Sequence, residues 1–157
     1  MKKILLALVI LASFSLGASA QDYTTGIGVR TGYYNGLTVK QFLGGKSAVE
    51  GIVTTRWQGF NVTVLYELHR WSAFDVDRLN WYYGVGGHIG FWNGTYTTWG
   101  VSGTSYMVIG IDGILGIEYN FEEIPLNLSL DWKPAINLIG YSSFWVDGAA
   151  FSARYIF

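Results

Sequence analysis

From Tyr23 to Phe157 apolar and polar side chains alternate almost one by one. A period of two places successive side chains on opposite faces of an extended strand, and the i, i+3, i+4, i+7 spacing of an amphipathic helix is missing. Clusters of Gly, Asn, Ser and Pro divide the stretch into eight runs, at about 23–32, 37–43, 47–57, 60–69, 79–92, 106–121, 126–133 and 144–157. The pattern therefore predicts an all-β fold of eight antiparallel strands. Tyr33-Tyr34-Asn35-Gly36 and Gln58-Gly59 read as tight hairpins, and Gly44-Gly45-Lys46 and Glu122-Glu123-Ile124-Pro125 as short turns. Asn93 to Ser105 and Pro134 to Ser143 read as long loops, and Arg70 to Arg78 is longer than this pattern favours.

The faces are clean in most runs. In the sixth, Met107, Ile109, Ile111, Leu115, Ile117 and Tyr119 lie opposite Val108, Gly110, Asp112, Gly116 and Glu118. The seventh sets Leu126, Leu128, Leu130 and Trp132 against Asn127, Ser129, Asp131 and Lys133, and the eighth sets Ala149, Phe151, Ala153, Tyr155 and Phe157 against Gly148, Ala150, Ser152 and Arg154. The second and third are blurred, because Gln41 falls on the apolar face and Ile52 on the polar one.

Composition narrows the class. The 157 residues are 50% hydrophobic but only 13% charged, with 17% aromatics and 21 Gly, which excludes disorder and leaves too little charge for an ordinary soluble surface. A net charge of -1 with no basic run argues against a nucleic-acid partner. The absence of Cys excludes disulfides, thiolate metal sites and a lipidated cysteine. At the N-terminus, Lys2 and Lys3, the apolar run Ile4 to Leu16 and Ala18-Ser19-Ala20 have the layout of a secretory signal, with cleavage expected after Ala20. Residues 1–20 are then a removed export signal and 21–157 one barrel domain, with 8 basic against 11 acidic side chains.

Alternation alone does not tell whether the apolar face points in or out, but the distribution of charge does. Of the 19 charges after residue 20, ten share the polar face: Arg30, Lys40, Arg56, Lys133 and Arg154 against Glu50, Glu67, Asp112, Glu118 and Asp131. They balance five to five, and glycines collect on the same face. A narrow, charge-balanced surface suits the interior of a small barrel, so the apolar face is expected to meet lipid. In hydrocarbon an open sheet edge leaves backbone groups unpaired, which calls for a closed up-and-down transmembrane β-barrel. An even strand count puts both termini on the periplasmic side, with the long loops outside.

The last residues, Phe151, Ser152, Ala153, Arg154, Tyr155, Ile156 and Phe157, carry a family resemblance. They are similar to the C-terminal assembly signal of bacterial outer-membrane β-barrel proteins, with Phe151, Ala153, Tyr155 and Phe157 at the alternate apolar positions. As a whole, residues 21–157 resemble the small eight-stranded outer-membrane proteins of the OmpX and OmpA-barrel type. The resemblance implies a bacterial outer-membrane location, contact with the barrel-assembly machinery during insertion, and outer-membrane lipid as surroundings.

Candidate chemistry is sparse. His69 and His88 are the only histidines, too few for a metal site of three or four converging ligands, and the carboxylates have matching cations as partners. Gly84-Val85-Gly86-Gly87-His88-Ile89-Gly90 lacks the spacing of a phosphate-binding loop. No catalytic, cofactor or metal residue is expected. The expected role is that of a non-enzymatic, monomeric, structural or surface-interaction protein. A surface ligand would meet the long loops, with Trp99, Tyr106 and Tyr141 as anchors. Two alternatives stay open. One is a lipid-modifying barrel enzyme, which would need His88 to approach Ser102, Ser105 or Ser142; the other is a soluble periplasmic lipocalin-like binder.

Overall fold

The structure, a computed structural model, describes residues 23–56, 59–70, 76–96, 102–140, 143–146 and 148–157. The expected export signal and the loop residues Trp99, Tyr141, Ser142 and Asp147 lie outside the described residues. The strands are β1 (Thr25–Gly32), β2 (Asn35–Gly44), β3 (Ser47–Arg56), β4 (Gly59–Arg70), β5 (Leu79–Asn93), β6 (Ser105–Asn120), β7 (Leu126–Trp132), β8 (Ala135–Ile139), β9 (Phe144–Trp145) and β10 (Ala149–Ile156). A single turn of 3-10 helix, Gly94–Tyr96, follows β5.

Each strand from β1 to β6 pairs antiparallel with the next, and β10 pairs with both β7 and β1, closing the ring. β8 continues the line of β7 along β6, and β9, paired with β8, continues that of β10. The result is a closed antiparallel barrel of eight strands, the seventh made of β7 and β8 and the eighth of β9 and β10. The start of β1 and the C-terminal residue meet at one end, the base: the Thr25 N–H donates to Phe157 O and the Phe157 N–H to Thr25 O, each at 2.9 Å. The opposite end is the mouth.

One expected boundary is corrected. Pro134 to Ser143 is not a loop throughout, since Ala135–Ile139 is strand. Pro134 has no N–H and interrupts the seventh strand locally, yet its carbonyl still accepts from the Gly113 N–H at 2.9 Å, so the ladder with β6 resumes beyond it. Tyr106, expected as an anchor for a surface ligand at the start of the sixth run, stands in β6 opposite Trp92. At the base, Gly44 and Gly45 turn the chain between β2 and β3 with φ of 124° and 60°, the left-handed region open to glycine.

The two faces of the barrel differ sharply in polarity. Among the described residues, 19 buried side chains are polar or charged and 11 are apolar, whereas Val29, Leu37, Val64, Val85, Ile111, Leu130 and Tyr155 are exposed outside. The blurred runs resolve in the same sense. Gln41 faces out, where its Oε1 accepts from the Thr25 hydroxyl at 2.6 Å, and Ile52 faces in, packed with Leu65, Tyr82 and Ile114. Space is scarce inside: a Cβ on Gly116 would stand 2.6 Å from the Tyr82 ring and 2.7 Å from the Asp131 side chain. The inward ring and the missing side chain opposite it are thus one packing unit.

Candidate functional site

Inward registers of seven strands bring charge into the lumen at two levels. The lower level, near the base, centres on Lys40 of β2. Its Nζ lies 2.8 Å from Glu67 Oε2, 3.3 Å from Glu118 Oε2 and 3.6 Å from Glu50 Oε2, carboxylates delivered by β4, β6 and β3. The same ammonium sits 3.9 Å from the centre of the Tyr82 ring, a cation–π contact. Arg154 of β10 pairs with Glu50 Oε1, which also accepts from the Thr38 hydroxyl. Arg154 further donates to Ser129 Oγ at 2.8 Å and Asn127 Oδ1 at 3.0 Å. His69 stacks on Tyr82 at 5.0 Å, with Nε2 at 3.7 Å from Glu67 and 3.6 Å from Glu118. All these charged side chains are fully buried.

Tyr23, just ahead of β1, closes this level from below, packing edge-on against Phe42 and donating to Glu118 Oε2 at 3.4 Å. Burial, and next the Glu118 carboxylate, hold its phenol well above the ordinary tyrosine range, so it serves as a neutral donor.

Above this level Arg30 of β1 grips both oxygens of Asp131 of β7, the fork-on-carboxylate geometry of a strong charge-assisted pair. Tyr82 donates to Asp131 Oδ2 at 3.2 Å. Towards the mouth, Asp112 of β6 accepts from Lys133, and its Oδ2 lies 2.6 Å from His88 Nδ1. His88 Nε2 lies 3.0 Å from Asn137 Oδ1, and the Asn137 amide donates to Ser143 Oγ at 3.3 Å. A cavity of about 50 Å³ lies here, lined by Arg30, Asn61, His88, Asp112 and Asn137, with Tyr34 and Trp145 among its walls. That is room for about four waters, far below the size of an organic ligand.

Of the ten charges expected in the lumen, Arg30, Lys40, Glu50, Glu67, Asp112, Glu118, Asp131 and Arg154 are buried there and Lys133 is partly so. Arg56 ends β3, and its side chain lies outside the described residues. The nine described charges are four cations and five anions, and Arg56 is the fifth cation of the expected set. Phe151, Ala153, Tyr155 and Phe157 share the outer face of the last strand, three of them exposed. Ser102 lies beside the Thr95 hydroxyl at 3.3 Å, and the hydroxyl that His88 reaches, through Asn137, is that of Ser143.

Sequence reasoning did not single out Thr38, Tyr82, Asn127, Ser129 or Asn137 as members of this network. Their only signal was a polar side chain in an inward register. Compared with known protein families and with curated proteins, the chain matches none, so its own residues carry the functional reading.

Proposed function

We propose that the chain is a small integral outer-membrane β-barrel protein, non-enzymatic and monomeric, with a structural or surface-interaction role in the bacterial envelope. One observation carries the reading: apolar side chains cover the outside of a closed barrel whose inside holds fully buried charges. Water outside would hydrate this apolar band at a cost of roughly 25 cal/mol for each Å², whereas lipid removes the penalty. A soluble lipocalin-like binder needs the reverse arrangement, an apolar interior around its ligand. Closure also supports the reading, because β10 pairs with both β7 and β1 and so joins the two edges of the sheet, as hydrocarbon surroundings require.

The lumen favours a structural role over a conducting one. Arg154, Tyr82, Lys40, Glu50, Glu67 and Glu118 fill its cross-section without solvent exposure. Outer-membrane lipid surrounds the wall, and the barrel-assembly machinery recognises the strand ending in Tyr155 and Phe157. A surface partner would meet the mouth, where Tyr96 and Phe144 are exposed.

The test is fractionation of cells making the native chain and a chain lacking Phe157. The native protein is expected in the outer membrane with heat-modifiable migration on gels, and the truncated one is expected to fail in assembly. Native protein released without detergent would overturn the reading. The Asp112–His88 pair at the mouth favours a second reading, a lipid-modifying enzyme, which predicts altered lipid A or phospholipid acyl chains on overproduction.

A further inference from the structure

Charge is divided unevenly between the two ends of the barrel. Among the described residues the exposed charged side chains are Lys46, Arg70, Asp77, Glu122 and Glu123, and all of them stand in base turns or at the base end of β4. The mouth exposes none among the described residues. It offers aromatic rings among amides and hydroxyls instead. Tyr96 is 48% and Phe144 63% exposed, and Asn35, Asn93, Thr95 and Thr104 stand open on the same rim.

Inside this rim one ring is fixed by its surroundings. The Trp92 indole occupies the space that side chains at Gly59 of β4 and Gly90 of β5 would fill, so a Cβ on either would run into it. Two missing side chains thus seat the indole against the wall, and it lines the mouth cavity together with Tyr34 and Trp145. Asn61 of β4 lines the same cavity. Its Nδ2 donates to Thr63 Oγ1 at 3.3 Å, while its Oδ1 is sealed from solvent and has no donor among the described residues. The cations of the lining have partners already, Arg30 in Asp131 and Lys133 in Asp112.

These features select among ligand chemistries. A phosphate or carboxylate would need a cation not already paired, and an apolar anchor would leave Asn61 Oδ1 without a donor. A pyranose presents a face of C–H groups that packs on the electron-rich face of an aromatic ring, and a rim of hydroxyls that both donate and accept. A cavity of about 50 Å³ admits no sugar ring, but it admits one hydroxymethyl arm.

We propose that the mouth is a binding site for an uncharged glycan. A terminal hexose stands at the rim against Tyr34, Trp92 and Trp145, and its hydroxymethyl group enters the cavity and donates to Asn61 Oδ1. The site rests on the surface-interaction role proposed above and gives the partner its chemistry.

The test is binding of the mature barrel, refolded in a detergent without a sugar headgroup, to an array of immobilised neutral and acidic glycans. Calorimetric titration with the neutral disaccharide bound best on the array then gives the affinity. Saturable binding of neutral glycans is expected. Trp92→Leu and Asn61→Ala should each weaken it by about three- to tenfold, the effect of one ring contact or one hydrogen bond. Trp81→Leu, on the outer wall near the base, should leave it unchanged. Heat-modifiable migration of each variant shows that the barrel has formed, and if Trp92→Leu does not fold, Asn61→Ala decides. Binding confined to acidic glycans, or binding that survives the mouth variants, would overturn the proposal. Native protein that resides in the outer membrane yet binds no neutral glycan would overturn this site alone, whereas soluble native protein that binds one would overturn only the membrane reading.

Discussion

Arg154 of β10 and Glu50 of β3 meet as an ion pair across the lumen, 104 positions apart in the chain. β1 and β2 lie between their strands in the wall, so the pair forms only when β10 has docked on β1 and the barrel is closed. It thus ties the polar interior to ring closure.

Removing one partner should therefore be costly. Arg154→Met leaves Glu50 buried with one cation fewer and is expected to lower stability by about 3–5 kcal/mol. Adding Glu50→Gln should recover part of the loss. Reversible urea unfolding of all three chains in vesicles gives the coupling energy, and a double variant no better than the single one would refute the pairing as a closure device.

The outward band can be tested by a single charge. Val85 on β5 is 66% exposed, and in water Val85→Arg should change stability by no more than about 0.5 kcal/mol. Facing lipid near the middle of a spanning strand, the same change is expected to cost about 2–4 kcal/mol. Unfolding in vesicles separates the two outcomes.

Gly116 and Tyr82 form a packing pair in which the ring occupies the place of a side chain. Gly116→Ala should push the ring away from Asp131 and Lys40 at about 1–3 kcal/mol, the usual range for overpacking. The same substitution on a Tyr82→Leu background should cost clearly less. Equal losses on both backgrounds would place the strain elsewhere.

Arg78, leading into β5, holds φ at 65°, a left-handed conformation that side chains disfavour. Its ion pair with Glu122 at 3.2 Å is largely solvent-exposed and contributes little. Arg78→Gly is accordingly expected to stabilise the barrel by about 0.5–1 kcal/mol, read as a higher urea midpoint; a fall in the midpoint would contradict the strain.

Most of the wall was legible in the chain. The alternation marked strands, and along Asp131, Lys133, Ala135 and Asn137 the inward register even runs unbroken past Pro134. Reading that proline as the end of a strand was the error, because a missing N–H interrupts one rung of a ladder without ending it. Ile52 looked misplaced for a similar reason. Period two assigns a face, and only packing reveals that a small apolar cluster sits within a polar lumen.

The sequence by itself determined which side chains share a face, since that follows from local backbone geometry repeated every two residues. It also determined that the charges belong together, because one face holds nearly all those within the strands. Partner choice was decided only by the tertiary structure. Lys40 draws carboxylates from β3, β4 and β6, and Arg154 reaches Glu50 rather than Asp131, because strand stagger and closure set which inward residues stand at the same height. Stagger is a property of the whole ring, absent from any single strand, and it drew five of the evenly balanced charges into one cluster at the base.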